Sequence, residues 1–137
     1  MTAAKGVLHE EMHSPAFSKN GGGFEMVQLW VNLPAKDKMT APRYQEIHDA
    51  DIPVVQLADD GGFARIIAGD FNGARGPARS FTPINLWDLR LKAGRRTELI
   101  LPQGFTACLL VLNGGVTLSD GETVGQAELA LFERNGE

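Results

Sequence analysis

Apolar and polar residues alternate along most of this chain with a period of two. Leu29, Val31 and Leu33 are interleaved with Gln28, Trp30 and Asn32, the arrangement that separates the two faces of a strand. The stretch from Phe24 to Leu33 therefore predicts a strand, which Pro34 stops. Ile52 to Leu57 predicts another, and Phe63 to Ala68 a third, introduced by the turn sequence Asp59-Asp60-Gly61-Gly62. Gly69 to Pro77 reads as a loop, and Ile84 to Leu91 and Thr97 to Leu101 as further strands. Ala107 to Leu112 is a nearly unbroken apolar run, as expected of a strand buried on both faces. Asn113-Gly114-Gly115 is a hairpin signal. Val116 to Leu118, the turn Ser119-Asp120-Gly121 and a last strand over Ala127 to Phe132 follow. No segment keeps helical periodicity for ten residues. The polar stretch from Ala35 to Asp49, broken by Pro42, has room for one or two helical turns. Short strands with turn signals at regular spacing predict an all-β barrel or sandwich, with Trp30, Trp87, Phe71 and Phe81 in its core.

Composition narrows the class. The 137 residues amount to one domain or a piece of a larger one. At 43% hydrophobic and 22% charged, the chain is not a disordered one. Thirteen Lys and Arg against seventeen Asp and Glu give a net charge of −4, and the basic residues are scattered. That argues against direct contact with nucleic acid, which needs a basic patch or stripe. No apolar run approaches the ~20 residues needed to cross a bilayer, and the N-terminus lacks an apolar core of signal-peptide length. Cys108, flanked by Ala107, Leu109, Leu110 and Val111, is expected to be a buried, inert thiol. With no disulfide framework, a reducing cytoplasm is the expected location.

Candidate chemistry concentrates near the start of the chain, in Leu8-His9-Glu10-Glu11-Met12-His13. In a strand, His9, Glu11 and His13 would share one face and Leu8, Glu10 and Met12 the other. Two imidazoles and a carboxylate are donor types of a non-haem iron site. Residues four apart in a strand are separated by about 13 Å, however, so His9 pairs readily with Glu11 and His13 is a poor third ligand. The competing reading is a solvated edge strand or loop, with Ser14-Pro15 forming a turn after it. His48, in a polar connection, is expected at the surface. Gly21-Gly22-Gly23 lacks the helix and the Lys-Ser/Thr of a phosphate loop, and no Gly-x-Ser-x-Gly elbow occurs.

Longer stretches carry a family likeness. Gly6 to Ser14, Gln28-Leu-Trp30-Val-Asn32-Leu-Pro34-Ala-Lys36-Asp-Lys38-Met39 and Pro42-Arg-Tyr44-Gln45 resemble the pirin family of the cupin superfamily. The likeness continues through Asp49 to Val55, Ile67 to Gly69, Gly76-Pro77 and Asn85-Leu-Trp87-Asp88. It implies a partial bicupin built on cupin-type jelly-roll (double-stranded β-helix) barrels. Residues 1–50 would close the N-terminal barrel and connect it onward, and residues 51–137 would form most of the C-terminal barrel. Strands would be missing at both ends.

The resemblance also implies a mononuclear iron site of the quercetin 2,3-dioxygenase type. The family's later His-x-Glu ligand pair falls on His9 and Glu11, with Glu11 also the base for a flavonol proton. The family's earlier His-x-His has no counterpart, since no His-x-His occurs in the 137 residues. Fe(II) would thus meet an incomplete ligand set, because three or four ligands are the norm. The apolar Phe105 to Val111 suits a filled second barrel. The alternative is a non-enzymatic module of the transcription co-regulator type, acting through protein contacts. Association into a homodimer would cover an exposed barrel edge and bring further copies of His9, Glu11 and His13 together.

Overall fold

The computed structural model describes residues 1–134. They divide into two compact units, Met1–Thr97 and a second that begins at Glu98. Regular structure is overwhelmingly β.

The first unit is organised around β2 (Gly62–Ala68), which pairs antiparallel with β1 (Val54–Gln56) on one side and β5 (Leu86–Leu91) on the other. Burial along β2 alternates strictly: Gly62, Ala64, Ile66 and Ala68 are buried, while Phe63, Arg65 and Ile67 are half-buried. Period-two patterning in the sequence has become a sheet with an inner and an outer face. The register opposes Ile66 to Trp87 and Ala64 to both Leu89 and Val55 on the inner face. Leu57 and Phe71 complete this core, Phe71 meeting Trp87 edge-on at 4.8 Å between ring centroids. The stretch Gly69 to Pro77, expected as loop, holds a minimal hairpin of β3 (Asp70–Phe71) and β4 (Ala74–Arg75) around Asn72-Gly73, both at positive φ.

On the outer face β2 carries a charge cluster. Arg65 donates to Asp88 at 2.8 Å across the β2–β5 pair and also to Asp49, and Arg90 reaches Asp88 at 3.1 Å. Asp49 opens a single 3-10 turn (Asp49–Asp51), so Arg65 ties that turn to the sheet. The Asp88 hydrogen bond, chiefly, raises the Arg65 pKa above the ordinary arginine value. A raised pKa gives stabilisation that is fully present below the unfolded-state value and is lost only as pH climbs through the folded one. The guanidinium contribution is therefore constant across neutral pH. Asp88→Asn is expected to cost about 1.5–2 kcal/mol by urea denaturation, since it weakens a charge-assisted bond on a side chain only 19% exposed.

The second unit contains two separate two-stranded ladders. β6 (Ala107–Leu110) pairs antiparallel with β9 (Leu129–Phe132), and β7 (Gly115–Thr117) with β8 (Thr123–Gly125). Val111 and Val124 are its buried side chains. The Ser119-Asp120-Gly121 turn lies where expected, closed by Leu118 N–H to the Glu122 carbonyl at 2.7 Å.

Several expectations are corrected here. Phe24 to Leu33 forms no strand, since it joins no strand ladder among the described residues, and Trp30 is 86% exposed rather than in the core. Thr97 to Leu101 is likewise irregular. Ala107 to Leu110 is covered on one face only, so Cys108 is exposed rather than buried. Asn113-Gly114 does not close a hairpin, since β6 takes β9 as its partner and not β7. Phe81 is half-buried, with the Arg43 guanidinium 4.4 Å above its ring. The polar stretch after Pro34 does hold single 3-10 turns, at Ala35–Asp37 and Asp49–Asp51.

Candidate metal centre

Residues 7–13 belong to no helix or strand, and all of them are exposed. The segment is held at its two ends. Before it, Thr2 and Arg43 exchange backbone hydrogen bonds at 2.8 and 3.0 Å, and Gly6 N–H bonds the Ala3 carbonyl at 2.8 Å. After it, Ser14-Pro15 starts a helix rather than a turn. This is α1 (Pro15–Asn20), whose Ser14 hydroxyl accepts from the Phe17 N–H at 3.2 Å and whose first position is proline. Both are standard ways to satisfy or dispense with the orphan donors of a helix start.

Between these anchors His9 and Glu11 meet. His9 Nε2 lies 3.5 Å from Glu11 Oε1, with the side chains 45% and 63% exposed. The pair expected from i, i+2 spacing is thus present, although the backbone there is not a strand. His13 goes elsewhere. Its ring sits 4.7 Å from Phe24, edge-on, and 5.1 Å from Phe17, with the two phenylalanines 5.6 Å apart. Neither phenylalanine stood out in the sequence as a partner for it, since the contact depends on α1, which is too short to show periodicity. His48 is at the surface as expected, 3.7 Å from Glu46.

Among the described residues no group of three or more His, Cys, Asp or Glu side chains comes together in a way that could hold a metal ion. One imidazole nitrogen and one carboxylate do not make a complete site for iron, which is held by three or more protein donors. On its own, one copy of His9 and Glu11 does not fit a resident iron. A polar groove of about 570 Å³, lined by Tyr44, Gln45, Glu46, Ile47, Asp51, Pro77 and Arg79, involves neither of them. Its wall is braced by Gln45, whose side chain both donates to the Arg79 carbonyl and accepts from the Arg79 N–H, each at 2.8 Å. No helix among the described residues is long and apolar enough to cross a membrane.

Comparison with known proteins gives a consistent result. No family model matches the chain. A Pseudomonas aeruginosa protein named as a candidate quercetin 2,3-dioxygenase is 51% identical over 135 residues, which cover 98% of this chain and 47% of that protein. Pirin-1 of Arabidopsis thaliana is 37% identical over 114 residues, 83% of this chain and 37% of Pirin-1. The crystal structure of quercetin 2,3-dioxygenase from Acinetobacter baumannii superposes with a TM-score of 0.86 at 44% identity, over 90% of this chain and 43% of that one. The chain spans about half the length of the curated relatives it matches. Sequence and fold together place the chain in the pirin family of the cupins, among relatives of the quercetin 2,3-dioxygenases.

Proposed function

We propose that the chain carries part of a metal-dependent oxidoreductase centre acting on a flavonol-type small molecule, with His9 and Glu11 as ligands of one Fe(II). The observation that carries this reading is the convergence of the His9 imidazole and the Glu11 carboxylate at 3.5 Å, on a segment that leaves both open to solvent. Bound iron would supply the activation of O₂ and flavonol. The remaining donors must come from outside a single copy of these residues. Glu11, 63% exposed, is free to take the hydroxyl proton of an incoming flavonol. The reading assigns residues 1–50 to the end of a first cupin barrel and its connection onward, and residues 51–137 to most of a second. A cytoplasmic location goes with it, on the ground of a single cysteine and no disulfide.

Anaerobic Fe(II) loading followed by desalting and elemental analysis tests the assignment. Wild-type protein is expected to carry iron at well below one ion per chain, since two donors hold it weakly, and His9→Ala and Glu11→Gln to lose it. Both variants should keep the wild-type thermal midpoint in metal-free buffer, since substitutions at exposed sites usually stay within about 0.5 kcal/mol. Iron that survives both substitutions, or none in the wild type, overturns the reading. O₂ uptake with a flavonol then tests the reaction on the loaded protein.

A second reading, the protein-interaction module, is favoured by the exposed apolar run Phe24, Met26, Val27, Leu29, Trp30 and Val31, each more than half exposed. Contiguous apolar surface of this kind marks protein contact.

A further inference from the structure

We infer that the turn Asn72-Gly73 is a site of spontaneous backbone modification, where the Asn72 amide is lost as ammonia and leaves aspartate or isoaspartate. Neither His9 nor Glu11 takes part. Four Asn-Gly pairs occur in the sequence, beginning at Asn20, Asn72, Asn113 and Asn135. Their surroundings differ.

The chemistry of such a pair is intramolecular. The glycine amide nitrogen gives its proton to hydroxide and attacks the asparagine side-chain carbonyl carbon. A C–N bond forms to the glycine, the C–N bond to the side-chain nitrogen breaks, and that nitrogen takes a proton from water and leaves as ammonia. The five-membered imide then takes up one water. Opening at the side-chain carbonyl gives aspartate. Opening at the main-chain carbonyl gives isoaspartate, which has one extra carbon in the backbone. Nothing is oxidised or reduced.

The attacking nitrogen must be accessible and free of a hydrogen bond. Asn72 and Gly73 are both exposed. Among the described residues the Gly73 N–H donates to no acceptor, and the Asn72 side chain has no partner. Nothing lies within 4 Å of where a Gly73 Cβ would sit. Asn20-Gly21 is the internal comparison. There the Gly21 N–H donates to the Phe17 carbonyl at 2.8 Å, at the end of α1, and that bond must break before attack. Asn113 makes an interaction of its own, and Asn135 lies outside the described residues. The lability of the turn comes from the residues that form it. Asn72 and Gly73 both have positive φ, the backbone that a two-residue hairpin demands and that Asn-Gly meets at least cost.

The modification acts on the core. Asn72 follows Phe71, which is 8% exposed, rests edge-on against Trp87 and pairs with Ala74 across the turn. The far end of the hairpin is fixed. Gly76 N–H bonds the Gly69 carbonyl at 2.9 Å, and Ala78 N–H bonds the Ile67 carbonyl at 3.0 Å. A Cβ on Gly76 would fall 2.5 Å from the Ile67 carbonyl carbon, so the hairpin cannot slide. An extra backbone carbon between Phe71 and Ala74 therefore displaces Phe71 from Trp87. Aspartate, which keeps the backbone length, leaves the core intact.

Ageing of the full chain in mildly alkaline buffer at physiological temperature tests this. Peptides released by an acid-active protease are mapped by mass spectrometry, with aspartate and isoaspartate separated by chromatography. In the folded chain Asn72 should convert about tenfold faster than Asn20, and in urea the two rates should converge. The urea midpoint of the aged protein should fall in step with its isoaspartate content. Asn72→Gly keeps the turn without the amide, and its midpoint should not change on ageing. Asn72→Asp carries the product charge without the extra carbon, and should start at the wild-type midpoint. Equal conversion of Asn72 and Asn20 in the folded chain overturns the inference. So does protection of Asn72 by folding, or a midpoint that stays constant while isoaspartate accumulates.

Discussion

Replacing Ile66 by alanine is expected to destabilise the first unit by about 4 kcal/mol, in the upper range for large-to-small changes in a core. Ile66 is the largest side chain that is fully buried, at 0% exposure, and it lies at the centre of β2 opposite Trp87. The rest of that core is small: Leu57, Ala64, Ala68 and Phe71. Two of those four are alanines, so there is little side-chain volume that could move in to fill the space. Domains of this size are stable by only about 5–15 kcal/mol, so the loss would be a large share of the whole. Urea denaturation followed by tryptophan fluorescence reads it directly, since Trp87 is the residue opposite. A loss under about 1 kcal/mol would mean that β2 and β5 close over the gap, and that the core is looser than its burial indicates.

The second large effect is expected at Gly62, where β2 begins. Its φ is +120°, and a Cβ there would fall against the backbone carbonyl of Arg90 in the neighbouring β5. A flexible side chain could yield to such an intrusion, but a strand backbone cannot. Gly62→Ala combines an overpacking cost with a backbone conformation that L residues avoid, each about 1–3 kcal/mol, for a total near 4 kcal/mol. Gly73 provides the comparison. It also has positive φ, at +82°, but nothing lies within 4 Å of where a Cβ would sit. Gly73→Ala should carry the conformational cost alone, about 1–2 kcal/mol. Equal losses at the two positions would show that strand contact at Gly62 is unimportant and that only backbone geometry matters.

Where a stretch carries its own alternation or apolar run, the sequence is a reliable guide to the presence of a strand. The observed Val54–Gln56, Gly62–Ala68, Leu86–Leu91, Gly115–Thr117 and Leu129–Phe132 all overlap stretches whose alternation or apolar runs predicted them. Alternation states which residues share a face. It does not state whether another segment will take the backbone hydrogen bonds. Phe24 to Leu33 has the pattern of a strand but joins no ladder among the described residues. Pairing of Ala107–Leu110 with Leu129–Phe132 is equally invisible locally, since an Asn-Gly signal between them points to a nearer partner. The start of α1 was legible in principle. Ser14 followed by Pro15 is a cap and a first-turn residue, but six residues are too few for a periodic face. The site was legible by residue type and spacing to the extent of His9 with Glu11. Diversion of His13 onto Phe17 and Phe24 required three-dimensional information.

The small core also sets how stability responds to temperature. Seven hydrophobic residues are buried among the described residues, while Leu8, Met12, Trp30 and Ile100 are each at least 84% exposed. Apolar surface already in contact with water in the folded state adds nothing to the heat capacity when the chain unfolds. The increment should therefore fall below the usual ~12–15 cal/mol/K per residue. A smaller increment flattens the curve of stability against temperature, so the chain should melt over a broad range and resist cold denaturation better than a domain of equal length with a full interior.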